Sequence, residues 1–181
     1  MKLPRRRYVI ALLIAVLAWV AWRATRSPDE MAGGVPQADS MSTGFRAARV
    51  YFAAANGDGL VAETVDELET PDFHDRVAEL VDALEKGPRA RGIATLPHGT
   101  SVLHAYLDDR GLLTLDLSPA FRDGFRGGSS AEFLATASIT RTIAANLPEV
   151  KRIILVCGGE PLATLGGHLP LDRPIDVANL P

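Results

Sequence analysis

The sequence is poor in cysteine, which narrows the possible stabilising and metal-binding chemistry. Cys157 is the only cysteine among 181 residues, so an intramolecular disulfide and a cysteine-based zinc cage are both excluded. No cysteine follows the apolar segment near the N-terminus, and we therefore expect no lipid-modified cysteine there. Cys157 lies in an apolar run, where a thiol is expected to serve as a small core residue.

Acidic side chains are absent from residues 1–26, although this segment carries several lysines and arginines. Because the net charge of the whole chain is −3, residues 27–181 must be strongly acidic. A nucleic-acid-binding domain needs a basic face for phosphate groups. We therefore expect no nucleic-acid partner.

Recognisable catalytic and metal-binding signatures are also missing. The four histidines lack a His-x3-His pair, and we predict no metal site and no cofactor. An enzyme hypothesis would gather Ser118, Asp116 and His104, because Asp116 and Ser118 are two apart on one strand and His104 lies across a hairpin. No Gly-x-Ser-x-Gly elbow surrounds Ser118, so we favour a turn-forming role for this serine and predict that the protein is not an enzyme.

A basic start and an apolar run, Tyr8–Trp22, precede the rest of the chain. As a helix this run would span roughly 22 Å, which is shorter than a hydrocarbon core of about 30 Å. A cleaved signal peptide needs an Ala-x-Ala-like site, and none is present; a twin-arginine signal is a further alternative. We favour an uncleaved single-pass anchor over residues 1–26, with the N-terminus inside and the domain outside the cytoplasm, on the periplasmic or cell-wall side.

Residues 27–45 are rich in Ser, Pro, Gly and Asp and predict a flexible linker. The globular domain is expected over residues 46–177. Its first strand, Arg46–Ala55, is followed by Asn56–Gly59, which favours a tight turn over a calcium loop. Residues 60–68 are expected to pair back as a second strand.

A first helix is predicted after Thr70, which we expect to be the N-cap before Pro71. One apolar stripe follows at helical spacing, and Gly87 is expected to end the helix. The stripe contains Phe73, Val77, Leu80, Val81 and Leu84.

A hairpin is predicted next, with a turn at Asp109–Gly111. Strict alternation in residues 101–108 places Val102, His104 and Tyr106 on one face and Leu103, Ala105 and Leu107 on the other. In residues 112–117, the leucines at 113, 115 and 117 share a face, while Thr114 and Asp116 share the opposite one.

The segment 127–159 predicts a second helix that leads into a buried strand. Ser129 and Glu132 have the spacing of a capping box, although Gly127–Ser130 could alternatively hold an anion. Apolar and small residues surround the helix, so we expect it to be covered on more than one side. Residues 150–157 predict a central strand, and residues 166–171 a last turn and a short edge piece.

These elements predict a two-layer α/β (α+β) sandwich with two helices on one face of a mixed, mainly antiparallel sheet, in the order β-β-α-β-β-α-β. The open face of that sheet, or an edge strand, is the expected partner surface. The side chains assigned to it are His104, Tyr106, Thr114 and Asp116.

An ordered set of marks resembles the GerMN domain, the sporulation and spore-germination module, over about residues 46–175. These marks are Val50–Phe52, Leu84–Pro88, Leu96–Thr100, Leu115–Ser118, Glu132 with Thr142, and Val156–Gly159. The resemblance implies an extracytoplasmic module, tethered by a signal anchor or lipid and without catalytic residues. It also implies a role in assembling envelope complexes, with an envelope protein or a peptidoglycan-type polymer as partner. The alternatives are a cell-wall hydrolase or ligand-modifying enzyme that uses the Ser118 region, and a small-ligand-binding domain.

Overall fold

The computed structural model describes residues 44–179. The predicted anchor and nearly all of the predicted linker lie outside these residues. Within residues 44–179, no helix combines the length and the hydropathy needed to cross a membrane.

The domain begins with a long antiparallel hairpin of β1 (Phe45–Ala53) and β2 (Leu60–Leu68). Its register runs from Phe45 opposite Leu68 to Ala53 opposite Leu60. The predicted turn is confirmed: Gly57 has φ +77°, a left-handed value that glycine adopts at little cost. Ala48, Val50 and Phe52 on β1 are buried in the core.

The helix α1 (Phe73–Lys86) buries one apolar stripe, as its periodicity predicted. Its N-cap is Asp72 rather than the predicted Thr70, and the Asp72 side chain accepts a hydrogen bond from the N–H of Asp75 at 3.0 Å. An aspartate closer to the first turn therefore takes the capping role. Gly87 ends the helix with φ +80°.

A second sheet contains β3 (Val102–Leu107), β4 (Leu112–Leu117) and β5 (Arg152–Cys157). The β3–β4 pair is antiparallel and the β4–β5 pair is parallel. Two short strands, β6 (Glu160–Pro161) and β7 (Ile175–Asp176), both pair with β5. No strand covers the predicted edge piece at 166–171, since that segment forms a loop in which the N–H of Leu171 donates to the carbonyl of Ala163.

A short helix α2 (Pro119–Asp123) precedes the long helix α3 (Ser129–Asn146), and a 3-10 turn (Val177–Asn179) follows β7. Every residue of α3 from 135 to 140 is buried, which agrees with the prediction that this helix is covered on several sides. The predicted capping box is wrong: the N-cap is Gly128, and no side chain caps the helix. Glu132 instead turns into the protein interior.

Helix α3 also closes the outer edge of β1. Its Thr142 Oγ1 accepts the N–H of Tyr51 at 3.0 Å, and its Asn146 Oδ1 accepts the N–H of Arg49 at 2.9 Å. The Asn146 amide donates back to the carbonyl of Arg49 at 2.7 Å. These side chains supply the hydrogen bonds that a neighbouring strand would otherwise make.

The predicted α+β class is confirmed. Helix α1 contacts α3 and both strands of the first hairpin, as well as β3. One hydrophobic core joins side chains from both sheets and from α1, α2 and α3. The sequence predicted one sheet, whereas the structure has two: the hairpin β1–β2 forms a separate two-stranded sheet.

Candidate functional site

The candidate site is the face of the second sheet that points away from the core, here called the open face. On β4 the leucines at 113, 115 and 117 are fully buried, as predicted, and on β5 Ile153, Leu155 and Cys157 point to the same side. Since side chains alternate along a strand, Thr114 and Asp116 belong to the opposite face.

The register brings the four predicted residues together in two cross-strand rows. His104 lies opposite Asp116, and Tyr106 lies opposite Thr114. On the other side of β4, Thr114 is paired with Ile154 and Asp116 with Val156. The open face is therefore a mixed surface of aromatic, polar and branched apolar side chains on three strands.

The four residues differ in their access to solvent. His104 is exposed, Tyr106 is 68% exposed and Thr114 is half-buried. Asp116 is only 7% exposed, and its Oδ1 accepts a hydrogen bond from the N–H of Gly159 at 3.1 Å. Asp116 thus ties β4 to the turn that follows β5. Of the four predicted residues, His104 and Tyr106 are the ones that a partner could contact most directly.

A register shift in β3 corrects the predicted assignment of faces. Val102 pairs with Leu117 while His104 pairs with Asp116, so Leu103 is an extra residue on β3. Such a bulge changes which side chains face the core. Val102 consequently packs against the core with Ala105 and Leu107, and Leu103, predicted on the core face, is 39% exposed.

The Ser118 hydroxyl is hydrogen-bonded to backbone groups. It donates to the carbonyl of Gly99 at 3.0 Å and accepts the N–H of Ser101 at 3.1 Å. These bonds fasten the segment before β3 to the end of β4. Ser118 precedes α2 as its N-cap residue, but its side chain does not cap that helix as the predicted turn-forming role would require. The hydroxyl proton is directed at a carbonyl rather than at the His104 imidazole.

The remaining histidines are distributed over separate elements. His98 Nδ1 lies 2.7 Å from Glu85 Oε1, and His168 Nδ1 lies 3.2 Å from Glu132 Oε2. Across residues 44–179, no group of three His, Cys, Asp or Glu side chains is placed to hold a metal ion.

Glu132 is a buried structural residue rather than the capping-box partner that its spacing from Ser129 predicted. Its carboxylate is fully buried and accepts the backbone N–H groups of Leu165 and His168, each at 2.8 Å. Burial raises the pKa of Glu132, but the backbone N–H groups of four loop residues outweigh it and lower the pKa to about 2; these are Gly166, His168, Leu165 and Leu169. Glu132 thus holds the loop after β6 against α3. The one signal in the sequence was that Glu132 is the only acid in a helix of small and apolar residues.

Comparison with known proteins identifies relatives of this arrangement. The family described as Germane: Sporulation and spore germination matches residues 49–163, well over half of the chain. No curated protein sequence gives a significant match.

Solved structures share the fold at low sequence identity. The first GerMN domain of the sporulation protein GerM from Bacillus subtilis has a TM-score of 0.57 and 18% identity, covering 74% of this chain and 99% of that one. The tandem GerMN domains of the same protein give 0.58 and 18%, covering 74% of this chain and 46% of that one. A candidate lipoprotein from Clostridium perfringens gives 0.53 and 20%, covering 76% and 91%.

Proposed function

This chain belongs to the Germane family of sporulation and spore germination domains, and from that membership we propose that it is a non-enzymatic module that binds an envelope protein. In this proposal it stands outside the cytoplasm, tethered by residues 8–22, and helps to hold an assembly together through β3 and the open face.

The observation that carries the proposal is that the outer edge of β3 is unpaired. This strand pairs with β4 on one side only, and in the described part of the chain no backbone hydrogen bond reaches its outer edge. A strand with a free edge offers a row of donors and acceptors to another extended chain. Leu103 and Tyr106 add exposed apolar area beside that edge, and Tyr is a residue type enriched in protein interfaces.

A protein partner suits this surface better than a wall polymer does. The free backbone edge of β3 complements another peptide backbone, which a polysaccharide lacks. The predicted surface residues of the open face offer little charge to a polymer. His104 is exposed, and the Asp116 carboxylate is already hydrogen-bonded to Gly159. The alternative partner is a peptidoglycan-type polymer, and affinity capture distinguishes it from a protein.

The proposal that the protein is non-enzymatic is supported by the side chains that an enzyme would need, because they are hydrogen-bonded to the backbone. The Ser118 hydroxyl is bonded to the backbone of Gly99 and Ser101, and the Asp116 carboxylate to that of Gly159. A nucleophilic serine requires a base within hydrogen-bond reach of its hydroxyl, and these groups are committed to holding the fold.

The location is supported by the sequence and by two related structures. The basic start and apolar run at residues 1–26 favour an anchor with the N-terminus inside. The related proteins are described as a sporulation protein and a candidate lipoprotein, and both descriptions agree with an envelope address.

The test is affinity capture from envelope extracts with full-length protein and a paired set of variants. The double variant Leu103→Lys with Tyr106→Glu places charges on the free edge and open face. A matched control, Ser130→Glu with Ala145→Lys, places the same two charges on exposed, uncharged positions of α3. We expect at least a tenfold loss of one captured protein with the β3 variant and none with the control. Unchanged capture by the β3 variant, or capture of glycan alone, would refute the proposal.

A further inference from the structure

A second candidate site lies between the first hairpin and α1, away from the open face. A pocket of about 390 Å³ is formed there by residues from the start of β1, the end of β2, the last turns of α1 and the segment after it. Phe45 stands at the pocket and is 71% exposed. We call this site the acidic pocket, because Asp66, Glu67, Glu79 and Asp82 contribute to its lining and outnumber the two cations there, Lys86 and Arg89.

Glu67 is the most deeply placed of these carboxylates. It is 5% exposed, and its Oε2 lies 3.4 Å from Arg46 Nη2, a long contact for an ion pair. Its other oxygen, Oε1, is buried without a hydrogen-bond partner within the described residues. A buried carboxylate oxygen without a donor costs free energy that a bound donor would recover.

Glu79 adds a second oxygen in the same condition. Its Oε2 is also buried and has no hydrogen-bond partner within residues 44–179. Burial raises the pKa of Glu67, the Arg46 guanidinium opposes this effect, and the neighbouring Glu79 carboxylate contributes further to the rise. The two carboxylates therefore repel each other at the wall of the pocket.

The cationic side chains near the pocket do not reach these two oxygens. Lys86 pairs with Asp82, and Arg76 Nη1 pairs with Glu149 Oε1 at 3.1 Å. Among the described residues, no cationic group lies within ion-pairing distance of Glu79. Glu67 Oε1 and Glu79 Oε2 are thus left without a positive partner among the described residues.

The strand beside the pocket has a free edge. The N–H of Glu69 donates to the carbonyl of Gly44, so by antiparallel alternation the backbone groups of Thr64 and Asp66 point outward from the hairpin. The equivalent outward groups of β1 are bonded to Asn146, Thr142 and Ile93. No strand of the described part pairs with the outer edge of β2.

We propose that the acidic pocket binds a lysine or arginine side chain of an extended segment of a partner protein that lies along β2. The cationic group would meet Glu67 Oε1 and Glu79 Oε2, and the apolar stem would pack against Phe45, whose ring also attracts cations. Metal binding is not favoured, since no metal-holding group is found among the described residues. This site is separate from β3 and stands or falls independently of the open face.

The test uses fluorescence anisotropy with the full chain and labelled, blocked pentapeptides that differ only in the central residue. One carries lysine and the other norleucine, which keeps the stem and removes the charge; valine and threonine flank both. We expect the lysine peptide to bind at least tenfold more tightly. Equal binding of the two peptides would overturn the proposal.

Variants then locate the contact. The isosteric change Glu79→Gln should reduce the preference for lysine to less than threefold, whereas the control Asp75→Asn, exposed on the same helix, should leave it unchanged. The β3 variant, Leu103→Lys with Tyr106→Glu, should also bind the lysine peptide normally. Loss of binding in the β3 variant but not in Glu79→Gln would place the peptide on the open face and refute the second site.

A measurement on the unmodified protein avoids any question of folding. The ring signals of Phe45 in an NMR spectrum should shift on saturation with the lysine peptide, and unchanged signals would refute the proposal. A glucosamine oligomer, which carries amino groups on a sugar chain, is the comparison ligand for a polysaccharide. Tighter binding of that oligomer than of the lysine peptide would overturn the assignment to a protein segment.

Discussion

Glu132 and His168 are joined twice, because the Glu132 carboxylate accepts the backbone N–H of His168 at 2.8 Å and lies 3.2 Å from its Nδ1. Together with the bond from Leu165, this contact fastens the loop after β6 to the first turn of α3. Gly166 makes the close approach possible, since a Cβ there would lie 2.9 Å from the Phe125 ring. The buried charge is therefore a structural element of the domain.

Replacing Glu132 by Gln should destabilise the domain in a pH-dependent manner. The pKa of Glu132 is about 2 in the folded protein and about 4.3 in an unfolded chain. The ionised carboxylate thus stabilises the fold above about pH 5, and this contribution, roughly 3 kcal/mol, is lost as the pH falls toward 2. In urea denaturation, wild type and variant should differ by about 2–3 kcal/mol at pH 7 and by much less at pH 3. Glu69→Gln, at an exposed position, is the control; a difference between wild type and Glu132→Gln that is independent of pH would contradict this assignment.

Replacing Asn146 by Ala should loosen the outer edge of β1. The Asn146 side chain forms hydrogen bonds with both backbone groups of Arg49 and with the carbonyl of Thr142. Since these groups are partly open to water, we expect a loss of about 1–2 kcal/mol in the free energy of unfolding. Hydrogen exchange at the Arg49 amide should accelerate at least tenfold. Arg141→Ala, exposed on the same helix, should change neither quantity, and slow exchange retained in Asn146→Ala would count against the role of this side chain.

The bulge at Leu103 predicts opposite sensitivities for two adjacent residues. Val102 packs against the core and Leu103 is partly exposed. Val102→Asp should therefore cost more than about 2 kcal/mol, whereas Leu103→Asp should cost less than about 1 kcal/mol. Chemical denaturation of the two variants gives the comparison directly. A regular strand without a bulge would produce the reverse order.

Ser118→Ala should affect stability and leave partner capture intact. Its hydroxyl joins Gly99 to Ser101, so the variant leaves a partly buried N–H and carbonyl without their partner, at a cost of about 1–2 kcal/mol. Ser130→Ala, at the exposed start of α3, should change the free energy of unfolding by less than about 0.5 kcal/mol. A folded Ser118→Ala protein that captures its partner but has lost a hydrolytic activity present in the wild type would support the enzyme hypothesis instead.

Local patterns were sufficient to predict much of the fold. The stripe of α1 and the turn at Asn56–Gly59 depend on neighbouring residues, so periodicity and turn chemistry identify them. The alternation in β4 likewise located its buried leucines. The predicted hairpin brought His104 near Asp116, and the structure places the two directly opposite each other.

Features that depend on contacts distant in sequence were missed. The capping-box spacing at Ser129 and Glu132 satisfies a local rule, but the backbone amides of Leu165 and His168 compete for the carboxylate and bind it. Nothing in the alternation of β3 signals the extra residue at Leu103. Asp116 is buried because Gly159 reaches it from the turn after β5, and the acidic pocket exists only because α1 packs beside β2.

Site-specific photocrosslinking in living cells tests the proposed function most directly. A photoreactive amino acid would replace Tyr106 in the full-length protein, and a second strain would carry it at the exposed position of Arg141. Mass spectrometry of the adducts should identify one dominant envelope protein from position 106 that is absent from position 141. No specific adduct at position 106, or the same adducts at both positions, would contradict a binding role for β3 and the open face.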